Sequence, residues 1–438
     1  MKQRFKKHLE EQFPFLKGEQ LLLATSGGLD SVVLAHLMHD LEYNITLAHC
    51  NFKLRNEESD GDEKFVRDLA EALNIPLEVV SFDTNAYALD HKLNTQLAAR
   101  QLRYKWFEEI LHHKALTRII TAHHADDNLE TFLINLTRGT GLEGLMGIPV
   151  QNGNVLRPFL RFSREEIKEY AIQNGIGWRE DSSNATDKYV RNALRHHVVP
   201  ELKKLNSNLL YSFQETLVHL QQANSMVEDA LVLTSKQLLK QDGNNLQIDL
   251  EQLKRLPNYK AYLYQLLKPY QFTAWSDIYE LVFNQSGKQI FSENYRLLKD
   301  RQYLILEEII ESDAVQSYEI HIPSEINIPI KLTISEVSRA FFQRENGGNQ
   351  IFVDKEKLKL PLEIRKWKEG DYFYPFGMKG QKKKVSKFFK DEKMSLIEKE
   401  NTWLLCSTDQ IVWIIGKRAD ERFKIESITE HIVQIKPL

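Results

Sequence analysis

Ser26-Gly27-Gly28-Leu29-Asp30-Ser31 packs two glycines, two hydroxyls and a carboxylate into six residues, directly after the apolar run Leu21–Ala24. Glycines at a strand-to-helix turn let backbone N–H groups approach a ligand closely. The helix that follows points unpaired amides and a partial positive charge at the same spot. Ser26 and Ser31 add hydroxyl donors, so the hexapeptide suits a phosphate. Asp30 is the odd member, because a carboxylate beside phosphates repels them unless a cation stands between. It is therefore a candidate Mg²⁺ ligand. The GxxxxGK[ST] pattern of the common P-loop is absent. A plain capped turn is the competing reading.

A second cluster is "HHADDNLET", residues 123–131. Asp127 and Glu130 stand three apart, so on a helix both carboxylates leave one face. Two like charges held together call for a cation, and a substrate ammonium would serve. The alternative is an acidic first turn that merely suits the helix dipole. His123 and His124 lack a third ligand at metal spacing, which favours structural or substrate-orienting roles. Arg100 and Arg103 form an i, i+3 pair suited to phosphates or base stacking, or else to a solvated face. Tyr189, Arg191, Asn192 and Arg195 mix an aromatic ring with donors, as a splayed RNA loop requires. Near the C-terminus, "PFGMKGQKKKVSKFFKDEKM" carries seven lysines against Asp391 and Glu392, a local charge of about +5 that includes Lys382, Lys383, Lys384 and Lys387. Localised charge of that kind is a nucleic-acid footprint, with a solvated surface as the alternative.

These groups need elements to hold them. Short apolar runs at residues 21–24, 45–49, 77–82 and 118–123 alternate with helical spacing, as in "DEKFVRDLAEALNI". Runs of that kind predict parallel strands joined by helices, an α/β doubly wound sheet whose ligands gather at the strands' carboxyl ends. Residues 1–205 form the expected α/β domain. Residues 206–312 read as a mainly helical domain closed by paired strands near 286–308. Residues 346–438 read as a small basic α+β domain.

Composition narrows the partners. The 438 residues carry 58 Lys and Arg against 61 Asp and Glu, which excludes a globally basic coat but not local patches. With two cysteines, Cys50 and Cys406, a disulfide scaffold or a four-thiolate metal site is out of reach. No signal-peptide pattern and no run of roughly 20 apolar residues is present, so a soluble, cytoplasmic protein without membrane contact is expected.

The hexapeptide after the first strand resembles the pyrophosphate loop of the N-type ATP pyrophosphatases, the PP-loop family. Further stretches resemble its lysidine synthetase branch: residues 48–66 with His49, Asn51 and Arg55; the "ARQLRY" helix; residues 121–148 with His123 and Arg138; and residues 178–202. The chain departs from that branch at Phe52 and Lys53, where His and Gly are usual. The resemblance implies a Rossmann-like PP-loop ATPase that takes ATP and Mg²⁺, with Ser26–Ser31 on the nucleotide and Asp30, Arg100, Asp127 and Glu130 catalytic. His49, Asn51, Arg55, Arg103, His123, Arg138, Tyr189, Arg191, Asn192, Arg195 and the four lysines would contact substrate or tRNA. The implied reaction joins free L-lysine to the wobble cytidine of tRNA(Ile) with a CAU anticodon, through an adenylated cytidine. A homodimer is compatible with it. The alternative, a tRNA cytidine 2-thiolase of the same family, needs reactive thiols that two isolated cysteines do not supply.

Overall fold

The computed structural model describes residues 1–55, 57–180, 190–309, 317–327, 329–339 and 350–437. Their contacts divide the chain into two units, Met1–Asp229 and Ala230–Leu438.

The first unit opens with α1 (Lys2–Gln12) and then alternates strand and helix: β1 (Gln20–Ala24), α2 (Leu29–Asp40), β2 (Asn44–Asn51), α3 (Glu57–Ala72) and β3 (Leu77–Ser81). It continues with α4 (Thr84–Asp90), α5 (Thr95–Lys114), β4 (Arg118–Ile120), α6 (Ala125–Arg138), β5 (Gln151–Asn152), β6 (Val155–Leu156) and α7 (Arg164–Gln173). The sheet order is β3-β2-β1-β4-β6-β5, parallel except for the β5/β6 edge. All four apolar runs expected to be strands are strands.

β1 is central because it is apolar on both faces. Leu21 and Leu23 pack with Phe5, Val33, Phe159 and Ile167 on one side. Leu22 packs with Ala48, Phe107, Ile110 and Ile119 on the other. The chain leaves β1 toward β2 on one flank and returns to β4 on the opposite flank. That reversal opens a crevice at the carboxyl ends of β1 and β4. After α7 come α8 (Val190–Ala193), one π-helical turn (Leu194–Val198), α9 (Val199–Leu205) and α10 (Leu209–Leu238).

The region expected to be mainly helical holds more helix than strand, and besides α10 it carries a sheet. The short helices α11 (Leu250–Arg255), α12 (Tyr259–Leu267) and α13 (Trp275–Leu281) pack with a five-stranded antiparallel sheet. Its strands are β7 (Leu239–Asp242), β8 (Asn245–Asp249), β9 (Gln289–Phe291), β10 (Tyr295–Asp300) and β11 (Tyr303–Glu308), ordered β7-β8-β11-β10-β9. The β7/β8 hairpin turns at Gly243, with φ of 59°; it follows so directly on α10 that the helical spacing masked it.

The C-terminal module also reaches further back than residue 346. β12 (Ser317–Ile320), β13 (Ser324–Ile326) and β14 (Leu332–Ser338) share two four-stranded sheets with β15 (Ile351–Asp354), β16 (Leu362–Lys366), β19 (Trp403–Ser407), β20 (Gln410–Ile414) and β21 (His431–Pro437). Between them lie the small hairpin β17 (Tyr372–Phe373) and β18 (Lys383–Lys384), then α14 (Val385–Asp391) and α15 (Leu396–Asn401). Backbone pairing, which sequence spacing does not reveal, sets that boundary.

The N-terminal helix is held through Phe5, fully buried and edge-on to Phe159 at 5.2 Å and Phe162 at 5.6 Å. Phe5→Ala should destabilise the first unit by about 3–5 kcal/mol, read as a lowered urea midpoint in chemical denaturation.

Candidate functional site

The crevice at the carboxyl edge of the sheet is a cleft of about 710 Å³ lined by the β1–α2 loop, the β4–α6 junction, the start of α3 and residues from 178–195. The loop's shape rests on Gly27, whose φ of 89° is closed to most side chains. Gly28 is extended, with φ of −78° and ψ of 165°, and serves as N-cap of α2. Hydroxyls brace the turn: Ser31 Oγ donates to Gly28 O at 3.0 Å and accepts from Ser26 N at 3.2 Å. The amides of Leu29, Asp30 and Ser31 fall in the first helical turn, where no intrahelical acceptor exists. Leu29's own side chain is buried in the core, so only its backbone faces this chemistry.

Asp30 follows at the cleft wall. Its Oδ1 is buried without a hydrogen-bond partner among the described residues, and Oδ2 lies 3.7 Å from His124 Nε2. Burial pushes the Asp30 carboxyl up, His124 partly offsets this, and nearby Asp127 adds to the rise. An orphaned carboxylate oxygen beside an anion-binding turn is the donor arrangement a hard cation requires.

Across the cleft, His124 caps α6. Its Nδ1 accepts from Asp127 N at 3.3 Å, while Asp127 Oδ2 accepts from His124 N at 3.1 Å. Asp127 and Glu130 do share one face, and a cation does meet them. That cation is Arg195 of the same chain. Its Nε donates to Glu130 Oε1 at 2.7 Å, and Nη2 donates to Glu130 Oε2 and Asp127 Oδ1, each at 3.0 Å. Burial works against ionising Asp127, yet the two histidines, the His124 amide and Arg195 outweigh it and hold the carboxyl low. Glu130 lies deeper, 1% exposed, and burial pushes it up despite Arg195. Burial likewise opposes the Arg195 charge, but Glu130 and Asp127 hold that guanidinium protonated. A neighbouring pair repeats the pattern, with Lys203 Nζ at 2.8 Å from Asp126 Oδ1.

Other expected residues sort into cleft and scaffold. Arg55, Arg103, His123 and Arg191 line the cleft together with Asp30, Asp127 and Arg195. Arg103 lies over the Phe52 ring at 5.1 Å, so the departure at position 52 gives the guanidinium an aromatic floor. Arg191 Nη2 donates to Thr131 Oγ1 at 2.9 Å. His49 and Asn51 are instead buried supports. His49 Nδ1 lies 2.9 Å from Thr25 O beneath the loop, and Asn51 Nδ2 donates to Asp60 and Glu63 of α3. The Asn51 amide is spent on the scaffold, whereas His49 Nε2 is buried with no hydrogen-bond partner among the described residues. Arg100 and Arg138 are exposed and do not belong to the lining among the described residues; Arg100 sits 4.8 Å over Tyr104. Asn192 is buried, and Tyr189 lies outside the described residues.

In the second unit Lys382, Lys384 and Lys387 are exposed. Lys383 is not free for a phosphate: it pairs with Asp391 at 2.8 Å, its side chain 17% exposed. Phe388 and Phe389 pack into the core rather than stack on a ligand. One cleft feature escaped the sequence reading. Arg179 donates its backbone N–H to Gly27 O at 3.0 Å and its Nε to Asp62 at 2.5 Å, strapping the loop to α3. "WRED" marked the segment, but nothing local marked Asp62 as its partner. Neither thiol is activated: burial pushes Cys50 up to about 12 and Cys406 up to about 11.

Comparison with known proteins bears on the same residues. The PP-loop domain family matches residues 1–202, the TilS substrate binding domain residues 241–309, and the TilS substrate C-terminal domain residues 362–435. A tRNA(Ile)-lysidine synthase from Parabacteroides distasonis is 40% identical, covering 94% of each chain. One from Bacteroides thetaiotaomicron is 37% identical over 100% of this chain and 99% of its own. One from Bacillus subtilis is 32% identical over 92% and 90%.

His123 generates a stability prediction. Burial lowers it to about 4, with Arg157, Arg191 and Arg100 contributing against the opposing pull of Asp127. The unfolded chain then takes up a proton near pH 6.5 that the folded chain refuses until about 4, so stability falls as pH drops through that window. The loss attributable to His123 is on the order of 3 kcal/mol. His123→Gln should flatten the fall in melting temperature between pH 6.5 and 4, measured by calorimetry.

Proposed function

The chain belongs to the tRNA(Ile)-lysidine synthase family, and from that premise we propose how its residues divide the work of an ATP-dependent lysine ligation. The substrates are ATP, free L-lysine and tRNA(Ile) with a CAU anticodon. The product is lysidine at the wobble position, which moves the tRNA from Met to Ile decoding. The observation that carries the assignment is the meeting of the glycine turn, Asp30 and Asp127 in one cleft.

In the first half-reaction the position-2 oxygen of the cytidine attacks the α-phosphorus, and the bond to pyrophosphate breaks. The turn at Ser26–Ser31 binds the departing pyrophosphate through first-turn amides and hydroxyls, stabilising charge as it develops. The orphaned Oδ1 of Asp30 fits a Mg²⁺ ligand, and the ion would supply neutralisation of the phosphates. Arg103, seated on Phe52, and Arg55 offer guanidiniums to the nucleotide or RNA backbone. In the second half-reaction the lysine ε-amine attacks carbon 2, the carbon–oxygen bond breaks, and AMP leaves as the amine loses its proton. Asp127 faces the cleft and attracts the substrate ammonium, while buried Glu130 shares Arg195 with it and so keeps that guanidinium from neutralising Asp127 alone. The raised thiols of Cys50 and buried Cys406 count against the thiolase reading.

Asp30→Asn should cut tRNA-dependent pyrophosphate release by on the order of 100-fold or more. Its melting temperature should not fall, because a neutral amide removes the burial cost of the carboxylate. Wild-type release would remove Asp30 from the reaction.

Glu130→Gln leaves Arg195 to pair with Asp127 alone, neutralising the carboxylate that faces the cleft. The lysine KM should rise by on the order of tenfold while the ATP KM holds, in steady-state assays of lysidine formation. Equal changes in both would return the pair to a helix-capping role.

A further inference from the structure

The C-terminal module carries a row of rings and cations that the lysine ligation does not use. From β17 onward exposure alternates over residues 372–376: Tyr372 and Phe376 are exposed and Tyr374 is half-buried, while Phe373 and Pro375 are buried. Tyr372 and Phe376 are each 41% exposed. Tyr372 and Tyr374 stand edge to face at 6.2 Å. Each ring holds a cation: Lys382 Nζ lies 3.4 Å over Tyr372, and the Arg422 guanidinium 4.6 Å over Tyr374. Lys384, paired in register with Tyr372, is exposed beside them.

The row is rigid. Tyr374 N donates to Asp420 Oδ2 at 2.9 Å, Glu421 N to Tyr374 O at 2.7 Å and Phe376 N to Ala419 O at 2.9 Å. Arg422 is fixed by a two-point pair with the fully buried side chain of Asp420, at 3.0 and 2.8 Å. Tyr372, Tyr374 and Phe376 lie outside the apolar core clusters of this module, on a backbone pinned by hydrogen bonds. A ring whose open face attracts an ammonium also attracts the face of a nucleobase, and the displaced lysine can then take the attached phosphate.

We infer that Tyr372, Tyr374 and Lys382 form a stacking platform for an unpaired base of the bound tRNA. Tyr372 supplies the ring face, Tyr374 buttresses it edge-on, and Lys382 and Lys384 supply the charge for the adjoining phosphates. The inference rests on the tRNA reading above. It adds that this module recognises a splayed, single-stranded nucleotide rather than duplex backbone alone.

Filter binding of full-length protein to tRNA(Ile) and to a blunt-ended RNA duplex, at several salt concentrations, tests it. Tyr372→Ala should weaken tRNA binding by about 5- to 100-fold with an unchanged log–log salt slope, because a stack releases no counterions. Tyr372→Phe, which keeps the ring, should bind as wild type does. Lys384→Ala should instead flatten the slope by roughly 0.7 to 0.9. Binding of the blunt duplex should be indifferent to Tyr372→Ala. Unaltered tRNA affinity in Tyr372→Ala, a flattened slope there, or equal loss on the duplex would overturn the platform. If the wild-type protein binds no tRNA, the tRNA reading itself fails, and the platform with it. A melting temperature held at the wild-type value shows that Tyr372→Ala still folds.

Discussion

Four carboxylates at the carboxyl edge of one parallel sheet, Asp30, Asp126, Asp127 and Glu130, have to be kept together while partly or wholly out of water. Charges so placed repel and lose hydration, so the chain must bring cations to them or leave them protonated. It does so from a single later segment: Arg195 meets Asp127 and Glu130, and Lys203 meets Asp126. Among the described residues Asp30 alone of the four receives no cation at hydrogen-bonding distance, only His124 at 3.7 Å, and alone keeps an unpartnered oxygen. Acidic cluster and basic segment are thus one electrostatic unit. Its construction ties residues 195–203 to the first turns of α6.

Around that unit the scaffold is built to hold still. The doubly buried β1 aims the glycine turn, His49 supports it from below, and Arg179 straps it from the side. Asn51 spends its amide on α3, so the helix bearing Asp62 is anchored to the strand beneath. Polar residues that resemble ligand-binding positions thereby act one layer behind the cleft, as supports whose hydrogen bonds set where the exposed groups stand.

The second unit solves a different problem in a protein with near-neutral overall charge. Its cations are set individually. Lys383 closes an ion pair with Asp391, Lys382 rests on Tyr372, and Arg422 is locked to Asp420 over Tyr374. A basic stretch in one dimension is therefore not a uniform basic surface in three. Exposed Tyr372 and Phe376 alternate with buried Phe373 and Pro375, and that alternation leaves Tyr372 as a ring for Lys382 to lean on.

Local signals already determined much of this. Four of the six strands of the first sheet, the glycine turn and the shared face of Asp127 and Glu130 follow from spacing over a few residues, where side-chain period and backbone freedom act directly. The basic stretch was legible for the same reason. Tertiary structure alone decided which cation answers each carboxylate, since Arg195 and Glu130 are 65 residues apart in sequence. It alone set the partners of Asp62, the retreat of His49 and Asn51 into the scaffold, and the extension of the C-terminal sheets back to Ser317. Strand pairing and ion pairing join groups distant along the chain, and their strength depends on distance and burial, which a linear order of residues does not contain.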